Sequence, residues 1–428
     1  MKPLLLVTGP VATRSGYGSH TRDLVKSLIK MDKYDIKINS LKWGNCPMNA
    51  LDENNPEDRM IKDKILLEPR MERQPDVHIQ ISVPNEFTAV GRYNIGVTAG
   101  IETTACAATW IEGCNRMDLI LVPSNFTKEV MGKTVFEKID EVTKQKTGDI
   151  RVNKPIEVLF EGVDTNIYKK TSEISDELQS EMSKIKEKFA FLYTGHWLQG
   201  NLGEDRKDTG MLVKTFLETF KNYSNPPALV MKTSGATFSV IDRNDIQEKI
   251  ESIKASVNGK LPNVYFLHGD LTDVQMNELY NHSKVKVHIS FTHGEGYGRP
   301  LLEATMSEKP VVASNWSGHI DFLEKQYSTL LSGAMTKVPD KAFPPEMMVE
   351  GAQWFSVNYQ YASKVMKKMY KTLKKDNQKA RKLANFNKSK FSMDAMTKKF
   401  QSILEQYVPK IEQPQPVSLK LPKLKKVN

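Results

Sequence analysis

The sequence predicts an α/β protein of two domains, each a largely parallel sheet alternating with helices, and three observations predict it. The chain has 428 residues, more than one hydrophobic core usually supports, so two domains of ordinary size are expected. Short apolar runs bounded by turn residues recur, each followed by a longer helical pattern, as buried parallel strands with crossover helices require. A polar, charged stretch from Tyr168 to Lys188 interrupts this alternation once.

Taken in order, the first set of runs is Leu4–Thr8, Asp35–Leu41, His78–Ser82, Asn94–Thr98, Leu119–Val122 and Ile156–Phe160. A helix is expected from near Ser19 through Leu24 and Leu28. Residues 44–75 lack a sustained period and contain Asn54, Asn55 and Pro56, so an irregular insertion is expected there. After the charged break the alternation resumes with Phe189–Thr194, Ala228–Lys232, Val264–His268, Val285–Ser290 and Val311–Ser314. From Gln353 to Tyr407 the pattern is helical and basic, and Pro409 to Asn428 hold four prolines and a lysine-rich end. The expected division is therefore residues 1–165, a linker 166–188, a second domain 189–390, a C-terminal helix 391–408 and a disordered basic tail 409–428.

Composition narrows the class. Hydrophobic residues make up 39% and charged residues 26%, as in a soluble globular protein, and no apolar run approaches the ~20 residues of a membrane span. Leu4 to Val7 is too short for a signal-peptide core, so a cytoplasmic location is expected. Cys46, Cys106 and Cys114 cannot form a disulfide framework, and they lack the spacing and neighbouring histidines of a zinc site, so small buried thiols and no bound metal are expected. The net charge of +10 is concentrated: Lys364 to Lys390 carry eleven Lys or Arg against one acid, Asp376, and the rest of the chain is neutral.

The densest chemical signal is His293-Gly294-Glu295-Gly296-Tyr297-Gly298-Arg299-Pro300-Leu301-Leu302-Glu303-Ala304, directly after the strand Val285–Ser290. Strand, glycine loop and helix form a phosphate-binding arrangement: Gly294, Gly296 and Gly298 let backbone approach an anion, Pro300 suits a first helical turn, and free N–H groups at the helix start face the charge. Glu303, on the first turns of that helix, is placed to accept hydrogen bonds from paired ribose hydroxyls.

This segment resembles the E-x7-E motif of retaining GT-B glycosyltransferases, with Glu295 and Glu303 as the pair, and the resemblance continues through Pro310-Val311-Val312-Ala313-Ser314 and Ser317-Gly318. Glu161-Gly162-Val163-Asp164-Thr165 resembles the family's G-V-D element at the end of the first domain, and Asp205-Arg206-Lys207-Asp208 its cation-bearing segment. The resemblance implies two Rossmann-like domains facing a central cleft, with a C-terminal helix that can cross back. It also implies a nucleotide-diphosphate sugar as donor, no separate cofactor, and transfer to an acceptor hydroxyl with retention. Glu295 would then hold the donor sugar and Glu303 the ribose, with Gly294, Gly296, Tyr297 and Gly298 beside the phosphates. Lys207 would neutralise the departing diphosphate, a task that GT-B enzymes give to cations and helix dipoles.

Two departures stand out. Where the family commonly has Gly-Arg after the first strand of the second domain, this chain has Gly195-His196, so the second cation would be Arg206 or Lys232. Where many members carry a histidine for the acceptor, this chain has Glu102, which would orient or deprotonate the hydroxyl or act only on a helix dipole. The first strand runs into Gly9-Pro10-Val11-Ala12-Thr13-Arg14-Ser15-Gly16-Tyr17-Gly18, similar to the family's cleft-facing glycine loop through Gly16 and Gly18. That loop is too long for a dinucleotide fingerprint, and the second strand ends in Ser40 where a nicotinamide binder would place an acid, which argues against hydride transfer. Trp197 is read either as a wall of the base pocket or as core.

The acceptor stays open among three readings. The basic stretch 364–390 suits an anionic membrane bearing a lipid or glycan acceptor, DNA bearing a hydroxymethylated base, or simply solvent beside a small-molecule or glycan acceptor. A sugar-nucleotide epimerase or binding protein on the same architecture is a further alternative.

Overall fold

A computed structural model describes residues 2–410 apart from Pro69, Arg70, Glu141, Gln199 and Ala236. The expected tail therefore lies almost wholly outside the described residues. The first sheet is built from β1 (Leu4–Gly9), β2 (Asp35–Ser40), β3 (Val77–Ile81), β4 (Tyr93–Val97), β5 (Leu119–Val122) and β8 (Ile156–Val158), all parallel, in the order β2-β1-β3-β4-β5-β8. Between them run α1 (Gly16–Met31), α2 (Pro56–Lys62), α3 (Ala108–Asn115), α4 (Asn125–Lys133) and a hairpin of β6 (Phe136–Ile139) with β7 (Lys146–Ile150). Strands β1, β3 and β5 in the middle of the sheet are buried along their whole length, whereas the outer strands β2 and β8 are only partly buried.

The second sheet repeats the plan with β9 (Ala190–His196), β10 (Ala228–Ser234), β11 (Val264–Leu267), β12 (Val285–Ile289), β13 (Val311–Ser314) and β14 (Thr329–Leu331), again all parallel, ordered β11-β10-β9-β12-β13-β14. Its helices are α6 (Thr209–Phe220), α7 (Val240–Ala255), α8 (Asp273–Asn281) and the short α9 (Arg299–Thr305). The segment joining the sheets is not a bare tether: it forms α5 (Asp176–Ser183), packed on α8, and Lys284 Nζ donates to the carbonyls of Met182, Ser183 and Ile185 at its end.

Four local readings need correction. Helix α1 begins at Gly16, not Ser19, because Ser15 accepts from Gly18 N and caps it. The irregular region 44–75 contains α2, capped by Asn55 with Pro56 in its first turn. Residues 353–357 are not helical: β16 (Gln353–Val357) pairs antiparallel with β15 (Gly333–Lys337) and buries Trp354, Phe355 and Val357. Helix resumes as α10 (Tyr359–Lys371), α11 (Lys374–Lys390) and α12 (Met393–Tyr407). Cys46 is only half-buried, unlike Cys106 and Cys114.

Helix α12 returns to the first sheet's side. Ser27 and Thr397 hydroxyls lie 2.9 Å apart, Lys30 reaches Asp394 at 2.6 Å, Tyr407 OH donates to Glu157 at 2.7 Å, and Val163 pairs with Ser392. No helix among the described residues is long and apolar enough to cross a membrane.

Candidate functional site

In a parallel sheet, ligands bind beyond the carboxyl ends of strands where the winding reverses. The second sheet reverses between β9 and β12, since the chain moves from β9 outward through β10 to β11 and then returns to the other side of β9. Three predicted residues sit at that point: His196 ends β9, Arg206 and Lys207 lie in the loop to α6, and the loop 293–298 follows β12 into α9.

Glu295 is the hub. Its two oxygens lie 2.5 and 2.6 Å from Lys207 Nζ, and Arg206 Nη1 is 3.5 Å away. Burial pushes its pKa up, but Lys207 and Arg206 outweigh burial and hold it at about 2. Arg206 Nη1 also donates to Gly294 O at 3.0 Å and pairs with Glu102 at 2.9 Å, so the acceptor-side carboxylate predicted from the first half is joined to the cation loop of the second. His196, exposed at the end of β9, has its Nδ1 3.3 Å from Ser234 Oγ; desolvation on its inner side, then the charge of Lys207, lower its pKa, so it adds no permanent cation. Lys232 stands apart: it donates to Gly269 O at 2.7 Å and lines a cavity of about 320 Å³ with Phe266, His268, Gly269, Asp270 and Leu271 at the ends of β10 and β11.

Glu303 is held differently. Arg299 Nε donates to one of its oxygens at 2.8 Å, and Tyr280 OH is 3.5 Å from the other. Burial raises its pKa to about 7 against the lowering effect of Arg299. Arg299 also reaches Asp23 on α1 at 2.5 Å. Close by, Glu161 of the G-V-D element is pushed to about 7 by burial, and the carboxylates of Asp23, Glu303 and Glu295 raise it further while Arg299 lowers it.

Two of the three motif glycines answer to protein, not to open space for an anion. A Cβ on Gly294 would stand 2.8 Å from Glu102 Cβ, and one on Gly296 would stand 2.3 Å from Ala99 O. Both positions let the loop 99–102 of the first half press against the second. Gly298 is different: its φ of 98° lies in the left-handed region, and no side chain caps α9 behind it. Tyr297 is buried beneath the loop against Phe322. Gly16 is exposed with nothing near its Cβ position, whereas a Cβ on Gly18 would meet Thr13 O at 2.3 Å. The close-packed glycine of the first loop is therefore Gly18.

The neighbouring residues pack the site from behind. His293 is structural: it stacks on Trp354 at 4.1 Å, with Nδ1 2.7 Å from Phe355 O. Trp197 is core, 4% exposed, and does not line the cavity beside Lys232. Ser124 caps α4, and its hydroxyl also donates to Gly296 O at 2.6 Å across the cleft. Sequence reasoning missed Asp23, Arg299 and Asp270, which build the links between halves; Asp270 pairs with Arg14 of the first loop at 3.3 Å. Only Arg299 carried a local signal, as a cation four residues before Glu303. Among the described residues no group of three or more His, Cys, Asp or Glu could hold a metal ion.

Residues 218–353, from the end of α6 to the start of β16, match the sequence model of the family described as "Glycosyl transferases group 1". That segment contains Lys232, Glu295 and Glu303. No curated protein matches the chain by sequence. Among solved structures, HepE from Anabaena in complex with UDP and glucose shares 14% identity at a TM-score of 0.59, over 94% of this chain and 100% of that one. A glycosyltransferase from Rickettsia africae shares 13% at 0.61, over 96% and 100%. Sucrose-phosphate synthase from Thermosynechococcus elongatus shares 11% at 0.58, over 95% and 99%. At such identities the likeness is one of fold: this chain has the GT-B architecture of two Rossmann-like parallel-sheet domains.

Proposed function

We propose that the protein is a retaining glycosyltransferase that moves a sugar from a nucleotide-diphosphate sugar to an acceptor hydroxyl. The observation that carries this reading is the meeting of Glu295, Arg206 and Lys207 at the switch point of the second sheet, eight residues ahead of Glu303, in the half of the chain with the family match. In this reading the cavity beside Lys232 takes the nucleobase and Glu303 accepts from the ribose hydroxyls, exchanging its contact with Arg299 for the donor. Lys207 and Arg206 turn from Glu295 to the departing diphosphate, where fixed cations in a dry cleft stabilise developing charge best. Glu295, released, hydrogen-bonds the sugar, and the uncapped start of α9 faces the phosphates. Glu102, on the opposite wall, orients the acceptor, which attacks on the face the diphosphate leaves. The two glutamates are binding groups in this scheme and not the nucleophile and acid pair of a retaining hydrolase.

The test is thermal stabilisation by UDP-, GDP- and ADP-sugars, with the uridine series first because HepE was solved with UDP and glucose. A ligand at one hundred times its dissociation constant adds ~2.7 kcal/mol. A base-selective shift in the wild type that disappears in Glu303→Ala supports the donor site. Absence of any shift at saturating sugar nucleotide sinks it.

A further inference from the structure

We infer that Asp208 and His293 share one buried proton, and that this pair positions the turn that presents Arg206 and Lys207. The turn sends its side chains in two directions. Arg206 and Lys207 reach Glu295, whereas their neighbours Asp205 and Asp208 are 1% and 0% exposed. Asp208 stands at the start of α6 with a φ of 50°, a left-handed conformation that a non-glycine residue keeps only when its surroundings hold it. It does not cap the helix; Thr209 N donates to Asp205 Oδ2 at 3.0 Å instead. Its own Oδ2 accepts from Tyr359 OH of α10 at 2.8 Å, and its Oδ1 has no hydrogen-bond partner among the described residues. The nearest ionisable group to that oxygen is His293, whose Nε2 is 3.8 Å away.

Hydrogen-bond chemistry around the imidazole calls for a proton there. Nδ1 lies 2.7 Å from Phe355 O, which can only accept, so Nδ1 carries a hydrogen. A neutral ring then leaves a bare lone pair on Nε2, facing Gly203 O at 3.3 Å, and an ionised Asp208 adds a second acceptor. Acceptors set against each other in a group 1% exposed are destabilising. One proton removes the conflict from either side: on Nε2 it makes an imidazolium beside a carboxylate, and on Oδ1 it makes an acid that can donate to Nε2. In both forms the pair holds one proton more than the same two groups hold in water near pH 7. The other titratable and charged groups around it are Asp205 and Arg206 of the turn, Tyr359 of α10 and, beyond Thr209, Tyr193 of β9. Burial pushes the Asp208 carboxyl up to about 8 against the hydrogen bond from Tyr359, and Asp205 adds to the rise. Burial also lowers His293, in keeping with a proton that rests on the acid. The pair holds the turn by its backbone as well: His293 N donates to Arg206 O at 2.9 Å, while Asp208 anchors the far end to α10. What the turn presents to a ligand is assigned by the proposed function, and that part of the inference rests on it.

The test uses the full chain without sugar nucleotide, so its outcome does not depend on the donor site. Asp208→Asn can accept from Tyr359 and donate to Nε2 with no proton to lose; Asp208→Ala can do neither. Urea melts of wild type and Asp208→Asn between about pH 6.5 and 9 read the proton. The folded pair keeps a proton that the unfolded chain has lost. The folding equilibrium constant of wild type should therefore fall relative to Asp208→Asn by up to ~10-fold per pH unit until about 8, and run parallel above it. Glu161 and Glu303, held near 7 in both proteins, cancel in that ratio. Hydrogen exchange of residues 203–209 reads the turn: Asp208→Ala should exchange roughly 10-fold faster than wild type, and Asp208→Asn at close to the wild-type rate. Parallel stability profiles for wild type and Asp208→Asn would overturn the inference, and so would an Asp208→Asn turn that exchanges ~10-fold faster than wild type. Should Asp208→Ala fail to fold, Asp208→Asn against wild type decides both readouts. With these results intact, failure of every sugar nucleotide to bind would sink the donor reading alone.

Discussion

The two halves of this protein each carry a strand, a glycine-bearing loop and a helix at a switch point, yet the loops are finished in opposite ways. In the first, the loop after β1 is filled by its own side chains. Ser15 caps α1, Thr13 Oγ1 donates to Pro10 O, and Arg22 Nη1 donates to the carbonyls of Val11 and Thr13 at 2.9 Å each. In the second, the loop after β12 has no side-chain cap at α9, holds Gly298 in the left-handed region, and collects Arg206 and Lys207 around Glu295. Strand, glycine and helix thus make a wall of the cleft in one half and a candidate anion site in the other. The deciding feature is whether the helix start is satisfied from within.

The largest expected effect comes from removing the cation that braces each loop, Lys207 from the β9–α6 connection in one half and Arg22 from α1 in the other. Lys207→Met should lower kcat by ~100- to 1,000-fold if Lys207 meets charge developing on the diphosphate. Arg22→Met should leave kcat near wild type and cost about 1–3 kcal/mol of stability for two carbonyls left without their donor. Steady-state rates and urea melts of both variants decide it, and a comparable kcat loss in Arg22→Met would erase the distinction between the loops.

The next effect is in pH. Donor affinity should fall up to ~10-fold per pH unit below about 7, because Glu303, held near 7 by burial, must ionise to accept two hydroxyls. The signs for stability are opposite for the two glutamates. Glu303, raised above the ordinary 4.5, favours the folded state at low pH, a contribution lost as pH rises through about 7. Glu295, lowered to about 2, contributes fully above 4.5 and loses that contribution as pH falls towards about 2. Isothermal titration with donor from pH 5 to 8 measures the first; a flat profile would remove Glu303 from the ribose.

The smallest effects separate the glycines and the cap. Gly298→Ala should cost more than ~1 kcal/mol because its φ of 98° disfavours a side chain, and Ser15→Ala should cost ~1 kcal/mol for the lost cap. Gly16→Ala, with nothing near its Cβ position, should stay within ~0.5 kcal/mol of wild type. Thermal melts would reverse the assignment if Gly16→Ala proved as costly as Gly298→Ala.

Strands buried on both faces were legible without tertiary information, because burial writes continuous apolar runs that need no partner to be read: β1, β5, β9 and β13 lie where such runs lie. The loop 293–298 at a strand end and the start of α9 after it were legible too, since turn glycines and Pro300 act locally. Strand β16 was misread, because Gln353–Val357 is a short edge strand identified only by its partner β15, and the hairpin of β6 and β7, whose residues are mostly exposed, left no signal. What the motif residues touch follows from long-range packing. Gly294 and Gly296 are small because loop 99–102 crosses them, and Arg299 spans from Glu303 to Asp23, 276 residues away in the chain. Periodicity records whether a residue is buried; the identity of the neighbour that buries it, or of the charge that pairs with it, is set by how the two halves close on each other.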